Sequence, residues 1–599
     1  MLNINRSSLL KNCQAAKMSN GRSFSKRNIE IRNASCLVVL LCWLGLLAAR
    51  SNAQSDLGIP HLRKQGTATQ LVVDGKPFVA LAGELEEETS TSLDNMRPVW
   101  PTLVQMNLNT VLPVIYWGLF EPEEGKFDFT LVDGIIQEAR RNHLRIGLVW
   151  FASWKNGLSI YAPHWVMKDY KRFPRARLRD GTGLQIFSSI EGYGDATRDA
   201  DARAFAALMR HIKDVDGQQY SVIMVQVENE VGMAGDSRDH SPAADKAFAG
   251  PVPKELMDYL QQNKDTLIPE FRRVWELGGF KTSGTWEEVF GANLATDEMF
   301  EAWHYSRFVG RVAQAGKAEY SIPMYVNAAL HRSSTIADAV GKERTGGGFA
   351  FGGPMDDMID IWRVGAPAID MLSPDCYNNI VSSCRNYDRS GNPLFIAEAS
   401  GGAGGAANVL YAVGRSAIGS SVYGIEFNLM RNDPTNELGR IYRAIGQLMP
   451  LIGEHQGRNT MAGVLLQEKS QVEKVPLGDY TMNVAFGHDR RPGGAARAPA
   501  VWRGGALFLM TSPEDLYVIA SNDIEIAVTF TPNTPGPKLV GVSIVEEGSF
   551  VDGRWVLGRS YVDHRTSNND APLLLPAAFH RIDAHSEHSI LRVKLYLWE

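Results

Sequence analysis

Two glutamates stand where a pair of carboxyl groups could do chemistry together. Glu230 closes the apolar run Val225-Gln226-Val227-Glu228-Asn229-Glu230, and Glu398 closes Phe395-Ile396-Ala397-Glu398. A charged group at the end of so apolar a strand costs desolvation, so packing is a poor reason for it to be there. Cleavage of a glycosidic bond needs a proton donor for the leaving oxygen and a second carboxylate to attack the anomeric carbon or activate water; two such glutamates supply both. A structural ion pair at each strand end is the alternative that the pattern leaves open. Cysteine and histidine nowhere cluster with zinc-ligand spacing, so neither a metal nor any other cofactor is expected. The glycine-rich runs 345–354 and 401–407 lack the Gly-x-Gly-x-x-Gly spacing of a dinucleotide cradle and read as flexible loops at the mouth of the fold.

The elements that must position these residues follow from hydrophobic periodicity. Short apolar runs at residues 78–85, 110–117, 145–154, 221–230, 324–330, 369–377, 393–400 and 422–428 alternate with amphipathic segments such as 131–142 and 200–215. Eight consecutive strand–helix units predict a closed (β/α)8 TIM barrel, an α/β fold whose active site lies at the C-terminal strand ends. The side chains brought there are Glu84, Tyr116, Trp117, Ser153, Trp154, Asn229, Glu230, Asn327, Asp375, Tyr377, Glu398 and Glu426. After about residue 451 the period falls to two, as in Ile524, Ile526, Val528 and Phe530, with turn signals at Pro535-Gly536-Pro537 and Asp552-Gly553. The expected organisation is a leader at 1–53, the barrel at 54–450 and a smaller antiparallel all-β, sandwich-like domain at 451–599, in which 491–500 is a loop.

The leader expectation rests on Arg22, Lys26, Arg27 and Arg32 followed by the apolar run 36–49 and the small residues Ser51-Asn52-Ala53. The run is shorter than the ~20 residues of a spanning helix, so a cleaved export signal, rather than a membrane anchor, is expected. That predicts a periplasmic or secreted protein with no membrane span after signal removal. Residues 1–53 carry eight Lys/Arg against Glu30; taking that +7 from the overall −6 leaves −13 for the remainder, which disfavours nucleic acid as partner. Of five cysteines, Cys376 and Cys384 lie outside the leader. A disulfide and a pair of free thiols are both compatible with their spacing.

The motifs carry a resemblance. Gln226-Val227-Glu228-Asn229-Glu230-Val231-Gly232 resembles the acid/base motif of glycoside hydrolase family 35, the clan A β-galactosidases. Gly83-Glu84, Glu121-Pro122-Glu123-Glu124-Gly125-Lys126-Phe127-Asp128-Phe129, and Trp154 followed by Pro163-His164-Trp165 are similar to it as well. The likeness spans about residues 70–430, and the β domain resembles the accessory domain of a bacterial branch. It implies Glu230 as acid/base, Glu398 as nucleophile and Asn229 as partner of a sugar hydroxyl. Ser153 and Tyr377 join the substrate site, Tyr377 either orienting Glu398 or serving as a buried structural ring. Trp117 and Trp154 are sugar platforms or core.

The chain departs from the family pattern at Glu86-Glu87, where the family often has His-Tyr, at Phe120 in place of His, and at Ser153 in place of a sugar-binding carboxylate. The expected activity is a retaining exo-β-galactosidase acting on oligosaccharides or plant cell-wall side chains such as xyloglucan. The alternatives are another clan A glycosidase (β-glucosidase, endoglucanase, arabinopyranosidase or fucosidase) and a non-catalytic carbohydrate-binding protein.

Overall fold

The structure, a computed structural model, describes residues 58–329, 351–377, 379–432, 436–486, 503–521, 526–534, 536, 539–561, 573–575 and 590–598. The apolar leader run, residues 345–350 of the first glycine-rich stretch, Pro535 and Pro537, and residues 491–500 lie outside them. From Ile59 onward the chain forms one compact unit.

Eight parallel strand positions make the catalytic sheet: β1 (Ala80–Glu84), β2 (Thr110–Leu112 and Val114–Tyr116), β3 (Arg145–Lys155), β4 (Val222–Asn229), β5 (Met324–Ala328), β6 (Met371–Cys376), β7 (Phe395–Ile396 and Glu398–Ala399) and β8 (Gly419–Tyr423). The two halves of β7 close the ring, one pairing with β8 and the other with β6. Parallel strands covered on both faces read as continuous apolar runs, and β4 is buried along its whole length. Pro113, lacking an N–H, divides β2.

The helices outside the ring are amphipathic. In α1 (Thr130–Arg141), Val132, Ile135, Ile136 and Ala139 face inward at helical spacing. Helices α2 (Asp195–Asp216) and α3 (Leu294–Glu319) are the longest, and they pack on each other. Among the described residues no helix is long and apolar enough to cross a membrane.

Two expectations need correction. The eighth strand lies earlier than expected, because Gly424, at φ +60°, ends it and Ile425–Phe427 form a single 3-10 turn that carries Glu426. The run 401–407 is no loop but the start of α4 (Gly402–Gly414), most of which is buried. Glycines on two strands of the β domain let the helix backbone lie flush on them: a Cβ on Gly463 would stand 2.3 Å from the Tyr411 carbonyl oxygen, and one on Gly505 would stand 2.5 Å from that of Ala407.

Helix α5 (Glu437–His455) leads into the C-terminal sheets. One has six strands in the order Met461–Leu466, Gly504–Met510, Asp515–Ala520, Ile590–Trp598, Leu539–Val551 and Arg554–Ser560; the other has four, Val472–Leu477, Tyr480–Phe486, Ile526–Pro532 and Leu573–Leu575. All their pairings are antiparallel, and their facing sides bury a core of residues such as Val464, Met482, Phe508, Val518, Val528 and Val593. Asp552 and Gly553, at φ +49° and +74°, make the tight turn between Val551 and Arg554, as their types predict. Cys376 and Cys384 are buried free thiols.

Candidate active site

The end of β4 departs from regular strand geometry. Its register with β3 shifts between Val227, opposite Trp150, and Asn229, opposite Lys155. Glu228 and Glu230 take φ +63° and +45°, left-handed backbone that costs a side-chain-bearing residue roughly 1–2 kcal/mol. Such strain persists where surrounding contacts enforce it.

Those contacts converge on Asn327 at the end of β5. Its amide oxygen accepts from the Glu230 backbone N–H (2.9 Å), and its Nδ2 lies within bonding distance of Asn229 Oδ1 (2.9 Å), Glu398 Oε1 (3.0 Å) and Asp375 Oδ2 (3.1 Å). Asn229 Oδ1 also accepts from Gln226, and Asn229 Nδ2 donates to Asn156. The Tyr377 hydroxyl donates to the other Glu398 oxygen at 2.5 Å. Carboxyl oxygens of Glu230, Asp375 and Glu398 all lie within 4.8 Å of one another. No histidine or cysteine joins that group, so it lacks the nitrogen and sulfur ligands typical of zinc.

Glu84, at the end of β1, adds a fourth carboxyl, and Lys155, at the end of β3, is the cation among them. Lys155 pairs with Glu87, which in turn accepts from the Tyr423 hydroxyl at 2.8 Å. This ladder ties β3 and β8 to the segment that follows β1. It runs through one of the positions where the chain departs from the family pattern.

Crowding of carboxyls in a buried site raises their proton affinity. Burial first, then the Glu230 charge, push Glu398 up to about 7, while Tyr377, Lys155 and Asn327 pull it back. Burial and the neighbouring Glu398 hold Glu84 and Asp375 well above the usual carboxylate range. Glu398 ionises most readily when Glu230 keeps its proton, since the repulsion between them is then absent.

Two outcomes follow. Tyr377→Phe removes a bond that favours the Glu398 anion, so the acid limb of the activity profile should move to higher pH. We expect kcat/KM to fall about tenfold below neutral pH and less above it; a uniform loss across pH would show that Tyr377 does not act through this ionisation.

The second outcome concerns stability. Glu398 binds its proton more tightly folded than unfolded, so its contribution is fully favourable below the unfolded value of about 4.5 and is lost as pH rises through about 7. Glu398→Gln escapes that penalty and should be more stable than the parent by about 3 kcal/mol at pH 8, with no difference near pH 4. Thermal midpoints that differ equally at both pH values would contradict it.

Not all expected site residues meet here. Glu230 and Glu398 keep 8% and 6% of their surface, whereas Trp117, Trp154 and Ser153 keep none, so a sugar cannot reach them. Trp117 donates to Glu121 Oε2 (2.7 Å) and packs edge-on against Trp165, and Glu121 also accepts from Gly125 N. The Glu-Pro-x-x-Gly motif is thus a staple below the site. Trp154 packs edge-on against Tyr305 and Phe308 of α3, and the Ser153 hydroxyl donates to Asp201. Asn229 and Tyr377 do lie beside the carboxyls.

Asn327, Glu84 and Asp375 had been placed at strand ends without a role. Lys155 was missed, although it directly follows Trp154 and its partner Glu87 had already marked a departure. Phe351, in the described part of the first glycine-rich run, pairs with Met233, three residues beyond Glu230.

A family model described as beta-galactosidase, that of glycoside hydrolase family 42, matches residues 96–314; another, described as a domain of unknown function (DUF5597), matches residues 438–561. The motifs resemble family 35 while the matching model is that of family 42, and the two agree at the level of clan A. The first match includes Glu230 and ends before Glu398. The beta-galactosidase of Xanthomonas manihotis is 30% identical over 226 residues, which is 36% of this chain and 33% of that protein. Beta-galactosidase 13 of Arabidopsis thaliana is 24% identical over 207 residues, 32% of this chain and 22% of its own. The chain therefore spans a third or less of the length of these relatives. The crystal structure of beta-galactosidase from Bacillus circulans sp. alkalophilus aligns with TM-score 0.42 and 13% identity, covering 62% of this chain and 57% of that one.

Proposed function

We propose that this chain is a retaining exo-β-galactosidase in which Glu230 protonates the leaving oxygen and Glu398 attacks the anomeric carbon. The observation that carries the reading is the pair of carboxyls at the ends of β4 and β7. One oxygen of each lies within 4.8 Å of the other, a proximity that suits the about 5–5.5 Å between carboxyl groups in retaining enzymes better than the about 6.5–9.5 Å that leaves room for an attacking water. Tyr377 and Asn327 donating to Glu398 favour its anion, as a nucleophile needs, and leave Glu230 as the proton carrier. In the first step Glu398 forms the glycosyl ester as Glu230 gives its proton to the departing alkoxide. In the second, Glu230 takes a proton from water, which displaces Glu398 with a second inversion.

The natural substrate in this reading is a terminal β-galactoside on an oligosaccharide or a plant cell-wall side chain such as xyloglucan, met outside the cytoplasm after export. Glu87, paired with Lys155, stands where the family that the motifs resemble often has His-Tyr, which makes arabinopyranoside or fucoside the second reading.

A panel of aryl glycosides separates these readings. The β-galactoside should be hydrolysed faster than the glucoside, arabinopyranoside and fucoside; a faster pentoside or fucoside would reassign the sugar. Inertness toward all of them, with oligosaccharide binding retained, would make the chain a carbohydrate-binding protein.

A further inference from the structure

Immediately before Asn229 and Glu230, Glu228 occupies the register shift between β3 and β4 in left-handed backbone, and it is wholly buried. Its Oε2 accepts from the Trp154 backbone N–H at 2.8 Å. Beside it lies Asp201 of α2, also wholly buried, accepting from the Ser153 hydroxyl (2.5 Å) and from Trp150 Nε1 (2.9 Å). The two carboxyls are within hydrogen-bonding reach of each other, a contact that requires one proton between them. The other groups that bear on the pair are neutral: Ser153, Trp150 and Trp154 on β3, with the Tyr305 and Phe308 rings of α3 behind Trp154. Among the described residues no cation pairs with either carboxyl, and two acids buried together in a barrel wall are a costly way to fill space.

We propose that Glu228 is a positioning residue: protonated and bonded to Asp201, it clamps the kinked end of β4 between β3 and α2 and thereby aims Glu230 at the leaving oxygen. The inference rests on Glu230 being the acid/base. Burial first, then the Asp201 charge, keep the Glu228 proton on well above the usual carboxylate range, which supports the direction of the shared bond. Glutamine fits the same clamp, since its amide can donate to Asp201 while its oxygen accepts from Trp154. Alanine leaves the kink without its tie.

The test compares Glu228→Gln, Glu228→Ala and Glu230→Ala on an alkyl β-galactoside, whose leaving group needs a proton, and on a dinitrophenyl β-galactoside, whose leaving group does not. Glu228→Ala should lose about 10²-fold in kcat/KM on the alkyl substrate and less than about tenfold on the dinitrophenyl one, because kcat/KM reports the glycosylation step, where a misplaced acid hurts only if the leaving group needs a proton. Glu228→Gln should stay within about threefold of the parent on both.

Equal losses on both substrates would reduce Glu228 to a packing residue, and parental activity in Glu228→Ala would remove its role; either overturns the proposal. So would a Glu228→Gln as impaired as alanine, since the carboxyl would then act in its own right. If Glu230→Ala itself showed no leaving-group dependence, the acid/base reading would fall, and the proposal with it, by a result distinct from the others. Should Glu228→Ala not fold, Ser153→Ala removes only the hydroxyl donor to Asp201. It should show the same substrate contrast at about threefold to tenfold, and its absence would overturn the clamp.

Discussion

Glu398→Gly should turn over no galactoside, whatever its leaving group, with kcat reduced by at least about 10⁴-fold. In the proposed mechanism this carboxylate forms the bond that the intermediate consists of, and its neighbours are not placed to take over. Asn327 and Tyr377 are hydrogen-bond donors aimed at Glu398, and Asp375 keeps its proton in a buried setting. Replacement by glycine also opens a space on the face from which Glu398 attacks. Azide filling that space would give the inverted α-galactosyl azide from an activated substrate. A residual rate near that of the parent would place the nucleophile elsewhere in the barrel.

Glu230→Ala should fail selectively. Natural glycosides, whose alkoxides must be protonated as they leave, should lose about 10²–10⁴-fold, while dinitrophenyl galactoside should still be captured by Glu398 and then accumulate as the ester. Azide needs no general base, so it should resolve that ester and release β-galactosyl azide. The two azide products have opposite anomeric configuration and therefore assign the roles independently of rate. Exchanged configurations would swap Glu230 and Glu398.

How much of this was legible in the chain follows from what each residue's neighbours are. The barrel strands were visible because parallel strands buried on both faces cannot alternate polar and apolar residues, and Glu230 and Glu398 stood out as acids ending such runs. Position at a strand end does not say which way a side chain points. Trp117 and Trp154 share that position with Glu230, yet their indoles are claimed by Glu121 and Trp165 and by Tyr305 and Phe308, of which only Glu121 is close in the chain. Lys155 was invisible for the same reason, its partner Glu87 lying 68 residues earlier. The run 401–407 misled because glycine locally signals a break, whereas here the Asn428 side chain and the Ser400 carbonyl leave no room for a Cβ on Gly401 and Gly405 at the start of a helix.

That packing makes the unit of folding larger than the unit of chemistry. Two residues separate Ala399, at the end of the strand that carries Glu398, from the first turn of α4, whose outer surface is shaped to two strands from another part of the chain. A barrel cut free after α5 would present that glycine- and alanine-rich surface to water, where such a helix has little of its own to hold it. The footing of Glu398 would go with it. Recombination between relatives should therefore keep α4 and the strands Met461–Leu466 and Gly504–Met510 from the same parent, and chimaeras joined between them inherit a mismatch directly behind Glu398.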